Sequence, residues 1–201
     1  MIRYAYICSQ ILQIYRSMDK IQFPITPRSL IAQVPNCRVM SYQKFADINH
    51  CQLDDVIQIC ESKTGCTHYD TTRNRYLILL NESSSGNNVP GRKIWTEGHE
   101  YGHVQLGHLP IAAVPQLAEN GFNNLSVDEF EAEADYFASM LLCPMPICQL
   151  LNIRSPQDIH EVFGLSYEAS DIRYNAYEKW LRSHRKTAWE NDMKRLYMNR
   201  Q

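Results

Sequence analysis

The chain has 201 residues, 44% of them hydrophobic, a formal net charge of -2 and a pI near 6.4. This is enough chain for one well-buried domain with a small helical appendage, and the composition is that of an ordinary soluble globular protein. No apolar run approaches the length of a membrane span, so no membrane partner is expected.

The start, from Met1 to Tyr15, is apolar but interrupted by Ser9, Gln10 and Gln13, and it has no clear small-residue cleavage site. It reads as an amphipathic helix from Tyr4 to Met18 rather than a secretory signal, with Ile7, Ile11, Leu12, Ile14 and Tyr15 at helical spacing. Seven cysteines form no C-x-x-C pair. An odd count without a signal predicts reduced thiols and a cytoplasmic location.

Thr26 to Gln33 restarts a short helix with Pro27 at its first position. Cys37 to Tyr42 alternates like a strand, and Asp54 to Lys63 reads as a helix closed by Gly65. Cys66 to Asp70 and Arg75 to Leu80 read as strands joined by the turn from Thr71 to Asn74. Together these predict a small antiparallel sheet just before the next helix. The strand Arg75 to Leu80 is expected to offer an exposed edge for an extended substrate.

A polar loop from Asn81 to Asn88 leads to Pro90, which suits the first turn of a helix running to about Gly107. Mid-helix stands His99-Glu100-Tyr101-Gly102-His103, an H-E-x-x-H motif. Side chains four positions apart on a helix lie about 40° apart on one face, so His99 and His103 can hold one metal ion. Glu100, about 100° round from His99, can reach a water at that ion without binding the metal. The combination suits Zn²⁺ hydrolysis, with Glu100 as general base and then proton donor. His108, about 140° round the helix from His103, reads as a C-terminal helix charge rather than a ligand. His50, His68, His160 and His184 have no ligand spacing.

The connection from Leu109 to Ser126 is long and rich in Pro, Gly and Asn, a lid, a rim or a tolerated insertion. Ser126 and Glu129 form a capping-box pattern that opens a helix running to about Cys143, before Pro144. On it Glu131, Ala134, Asp135 and Ala138 share a face at i, i+3, i+4 and i+7. Two acids beside two alanines let this helix approach another closely and present carboxylates to it. Glu131 is therefore the candidate third ligand and Asp135 the candidate partner of a ligand imidazole. Glu133, about 200° round from Glu131, cannot share that role. The residue that stabilises the oxyanion is not assignable among twelve tyrosines, with His68 and Tyr69 only weak suggestions.

Two pieces, Thr96 to His108 and Glu131 to Pro144, resemble the ImmA/IrrE family of zinc metallopeptidases. That family pairs an H-E-x-G-H helix with a downstream E-x-x-A-(N/D)-x-F-A-x-x-L-L-x-P helix. The resemblance extends to Leu77-Ile-Leu-Leu-Asn81 and covers roughly residues 37 to 146. It implies a zincin-like α+β core, metal binding by His99, His103 and Glu131, and Glu100 as the catalytic glutamate. It also implies a cytoplasmic protease whose protein substrate is a DNA-binding transcriptional repressor. The sequence departs at Cys143, where the family often has Met, and at Tyr101, where an aliphatic residue is frequent. The first helix and the tail after about Thr187 lie outside the resemblance.

Beyond the motif helices, Asp158 to Arg173 has the rhythm of a helix-turn-helix, with Gly164 at the turn and Ser166 capping the second helix. Basic residues outnumber acidic ones from Arg173 onward, which would suit phosphates or an acidic partner. Yet Tyr174, Tyr177, Trp180 and Leu181 form a packing stripe, so direct nucleic-acid binding is not expected. The sequence thus divides into a metallopeptidase core, 1–146, and a helical C-terminal region, 147–201. Two rivals remain: a non-catalytic zinc-containing adaptor or sensor docking on a transcription regulator, and a DNA-binding regulator acting through the C-terminal helices.

Overall fold

A computed structural model describes residues 1–83, 89–112, 116–118, 125–183 and 187–201. The first helix, α1 (Tyr4–Ser17), buries Ile7, Cys8, Ile11, Leu12, Ile14 and Tyr15, the stripe its periodicity predicts. The short α2 (Pro27–Ile31) begins on Pro27. Next come β1 (Cys37–Ser41), α3 (Tyr42–Asn49) and α4 (Leu53–Cys60). The helix α3 is not predicted from the sequence. It is started by Ser41, whose Oγ accepts from Lys44 N at 3.2 Å, and stopped by His50 in the left-handed region at φ 54°. Likewise α4 stops on Glu61 at φ 53°, earlier than the Gly65 stop expected, and Gly65 instead opens β2.

The strands β2 (Gly65–Asp70) and β3 (Arg75–Leu80) form the predicted hairpin. Its turn is fixed by Asp70 Oδ1, which accepts from Thr72 N at 2.9 Å, and by Asn74 at φ 51°. A short β4 (Gln116–Ala118) completes a four-stranded sheet of order β1-β3-β2-β4. This sheet is mixed rather than antiparallel. β1 runs parallel to β3, from Cys37 opposite Tyr76 to Ser41 opposite Leu80, and α3, α4 and β2 form the crossover. Being central, β3 has no exposed edge, which overturns the expectation that it pairs with substrate. Its apolar run from Tyr76 to Leu80 is what a strand covered on both faces requires. Among the described residues the outer strands are β1 and β4.

Two long helices carry the motif residues, α5 (Pro90–Leu106) and α7 (Leu125–Leu142), with a short α6 (His108–Ala112) between them. The predicted Ser126 cap lies outside the described side chains. α5 and α7 pack at close range, as the Ala134 and Ala138 face predicts. A Cβ on Gly102 would come within 3.2 Å of Ala134 Cα, and one on Gly98 within 3.6 Å of Ala138 Cβ.

Four helices follow: α8 (Met145–Leu150), α9 (Pro156–Phe163), α10 (Tyr167–Ser183) and α11 (Ala188–Asn199). The expected division at 146/147 falls inside α8, and one hydrophobic cluster takes side chains from Ile7 through Phe137 and Phe163 to Met193. α1 lies against α7 and α11, with Tyr15 Oη donating to Leu141 O at 2.7 Å and Ile21 N donating to Arg200 O at 2.7 Å. In the helix-turn-helix-like pair Gly164 takes φ 69° and Ser166 Oγ accepts from Ala169 N at 3.2 Å. His160 Nδ1 donates to Leu165 O across the same turn at 2.6 Å. Arg173, counted above among the surplus basic residues, is buried and donates twice to Cys143 O, at 2.9 and 2.6 Å. All seven cysteines are free thiols, and no described helix is long and apolar enough to cross a membrane.

Candidate metal centre

The motif stands in the second half of α5, where Thr96 to Val104 are all buried. His99 and His103 project from successive turns, and their Nε2 atoms meet at 3.1 Å. Glu131 of α7 closes the group, with Oε2 at 3.1 Å from His99 Nε2 and Oε1 at 3.4 Å from His103 Nε2. One donor atom from each of the three residues falls within 4.8 Å of the others. The structure thus brings together the three residues singled out as ligands.

The protons on the imidazoles follow from their outer partners. His99 Nδ1 lies 2.9 Å from Asp135 Oδ1, a carboxylate that accepts, so the ring donates there and its Nε2 lone pair faces inward. His103 Nδ1 lies 2.9 Å from His108 Nδ1, and His108 Nε2 lies 3.1 Å from Glu133 Oε2. Glu133 accepts from His108 Nε2, which leaves His108 Nδ1 as an acceptor and makes His103 Nδ1 the donor. The His103 Nε2 lone pair therefore faces inward too.

Two inward lone pairs and a carboxylate repel one another unless a positive charge lies between them. Glu131 Oε1 is in addition buried without a hydrogen-bond partner. The site fits a cation with nitrogen and oxygen ligands. With protons alone, one takes the cation's place on His99: burial would lower that imidazole, but Asp135 and Glu131 outweigh it and hold its pKa well above the ordinary value. Burial and the neighbouring His99 lower His103. Burial would raise Glu131, yet the neighbouring His103 and His99 imidazoles bring it down to about 2.

Glu100 is fully buried on the sheet side of α5, where Thr67 of β2 donates from Oγ1 to Glu100 Oε2 at 2.6 Å. The strand thereby orients the carboxylate that the motif supplies. Sequence reasoning misses Thr67, because nothing in a strand's alternation marks one buried threonine as a helix partner.

His108 and Glu133 are also missed. His108 does not lie 140° round α5: the helix ends at Leu106, Gly107 turns the chain at φ 66°, and His108 folds back, fully buried, onto His103. Burial and the neighbouring His103 push it down to about 3, so it is neutral. Gly107 is the signal that marks this turn. Of the weak oxyanion candidates, Tyr69 donates its hydroxyl to Asn74 Oδ1 at 2.8 Å, and strand alternation puts His68 on the opposite face from Thr67. Neither is brought to Glu100. A groove of about 720 Å³ runs from Asp135 and Thr96 towards Ile172 on α10. Its lining includes Asp135, the partner of His99 Nδ1, but none of the three candidate ligands.

A mixed sheet laid over an H-E-x-x-H helix, with a third donor from the next long helix, is the zincin-like arrangement of metallopeptidases. Residues 53–175 match the model of the IrrE N-terminal-like domain, peptidase family M78, and the chain belongs to that family. No curated protein matches the chain.

Proposed function

We propose that this metallopeptidase is a zinc-dependent, gluzincin-like endopeptidase that cleaves a peptide bond within a protein substrate, a DNA-binding transcriptional repressor, in the cytoplasm. The observation that carries the catalytic reading is the convergence of His99 Nε2, His103 Nε2 and Glu131 on one point beside the oriented carboxylate of Glu100. His99, His103 and Glu131 would hold Zn²⁺, which when bound supplies a Lewis acid for the peptide carbonyl and lowers the pKa of water at the centre to roughly 7. Asp135 orients His99. Glu100 takes the proton of the attacking water and returns it to the leaving nitrogen.

Substrate pairs as an extended strand along β4, the outer strand beside β2, where Leu117 stands opposite Thr67. The resemblance to ImmA/IrrE proteins supports a repressor as substrate, and seven free thiols support a reducing compartment.

The test is to incubate untagged protein of measured zinc content with the repressor it controls, beside Glu100→Gln. Cleavage by the natural protein, absent in Glu100→Gln with zinc retained, is expected. If Glu100→Gln still relieves repression, the protein acts as a zinc-containing adaptor instead of by hydrolysis.

A further inference from the structure

Arg3, at the N-cap of α1, is spent almost entirely on Glu133. Its backbone N donates to Glu133 Oε1 at 2.7 Å, Nε donates at 3.0 Å, and Nη2 donates to Oε2 at 2.6 Å. Nη2 also reaches Leu106 O, at the end of α5, at 3.5 Å. The Glu133 carboxylate is only 3% exposed. Its remaining neighbour is His108 Nε2 at 3.1 Å, and His108 in turn touches His103. Four residues from three separate parts of the chain thus stand in a single file that ends on an imidazole facing the metal centre.

We infer that Arg3, Glu133 and His108 are positioning residues, a one-way hydrogen-bond relay that sets the tautomer of His103. Direction enters at Glu133, which Arg3 holds in place. An ionised carboxylate paired with a guanidinium can only accept, and each later member has one role left. His108 gives its proton to Glu133 and accepts from His103, and His103 keeps Nδ1–H with an empty Nε2. Reversing any one member reverses those after it. The segment before α1 is therefore part of the metal centre, although 96 positions separate Arg3 from His99 in the chain. This rests on the metal-centre reading for its consequence, but the tautomer itself is a property of the metal-free protein.

Glu133→Gln is the informative change because it keeps shape and alters polarity. Arg3 would hold the Gln carbonyl and leave the amide NH₂ facing His108 Nε2. His108 must then accept there and donate from Nδ1, which places the His103 proton on Nε2, pointing into the centre.

Long-range ¹⁵N–¹H spectra of the histidines in metal-free protein read this directly. The natural protein is expected to show His103 as Nδ1–H and His108 as Nε2–H. Glu133→Gln is expected to show both exchanged, and in chelator competition to bind zinc about 10- to 100-fold more weakly. Arg3→Gln is expected to weaken zinc binding less and leave the tautomers as they are. His103 carrying its proton on Nε2 in the natural protein, or keeping Nδ1–H in Glu133→Gln, overturns the relay. The natural-protein spectrum decides the matter even if Glu133→Gln does not fold. Failure of the metal-centre reading shows differently, as no zinc uptake by natural protein whose tautomers are as stated.

Discussion

Thr67 Oγ1 donates to Glu100 Oε2 at 2.6 Å, tying the second strand of the sheet to the carboxylate of the motif helix. Both residues are fully buried, so the bond forms away from competing water. A hydrogen bond to a charged group contributes about 1.5–3 kcal/mol. Thr67→Val keeps the shape and removes the donor, and should lower kcat by about 10- to 100-fold with KM little changed. Thr67→Ser should keep most of the activity. Steady-state kinetics on one peptide substrate would check this, and equal losses in Val and Ser variants would show that packing, rather than the hydroxyl, matters.

The metal ligands and their partners should separate by size of effect. Glu131→Ala removes a donor outright and should abolish stoichiometric zinc. Asp135→Asn still accepts from His99 Nδ1 but without charge, and should weaken zinc about 10- to 100-fold. Elemental analysis followed by chelator competition gives both values. A variant order with Asp135→Asn the worse of the two would mean that Glu131 is not a ligand.

Two glycines on α5 should respond oppositely to alanine. A Cβ at Gly98 meets the end of the Leu142 side chain at 3.3 Å, which can shift. There the gain in helix propensity, up to about 1 kcal/mol, should leave Gly98→Ala neutral or more stable. At Gly102 the Cβ meets the Ala134 backbone at 3.2 Å, so the two helices must part between the ligand histidines. Gly102→Ala should cost about 1–3 kcal/mol as overpacking does, with weaker zinc binding. Denaturation midpoints of both variants decide it, and a stabilised Gly102→Ala would refute the close-contact argument.

Asp158 accepts from Arg154 N at 2.7 Å and Ser155 N at 3.0 Å at the start of α9, and these bonds hold its carboxyl below the ordinary value. A carboxyl depressed in the folded state stabilises above its unfolded pKa, about 3.9, and that contribution fades as pH falls through the folded value. The group is solvent-screened, so the effect is about 0.5 kcal/mol, the low end for capping. Asp158→Ala should therefore melt lower than the natural protein at pH 7, and the gap should begin to narrow below about pH 4. A gap that does not narrow as pH falls below the unfolded value would point to packing instead.

How far the sequence discloses the site depends on whether its geometry lies within one helix. His99, Glu100 and His103 are fixed by helical spacing alone, and Glu131 with Asp135 by a second helix whose alanines announce a close neighbour. Thr67, His108 and Glu133 act between elements, through a strand, a left-handed glycine and an N-terminal arginine. No local period records such meetings. In the sheet the elements were legible but their directions were not. Two runs look alike whether paired parallel or antiparallel, and only the unbroken apolar stretch of β3 hints that it is central. The helix α3 escaped because its polar face, Gln43, Lys44 and Asp47, leaves few apolar positions to show a period.

The packing of α1 against α7 and α11 also sets an order of events during synthesis. α1 precedes every other described element, yet the surfaces that cover Ile7, Ile11 and Tyr15 are made much later, α11 after all the other described helices. A nascent chain must carry that apolar stripe uncovered while the sheet and the motif helices emerge. Contacts of such long sequence separation close slowly. The segment that positions His103 through Arg3 thus emerges ahead of the motif helices but docks only after α11 has been made, so the metal centre reaches its final form late in folding.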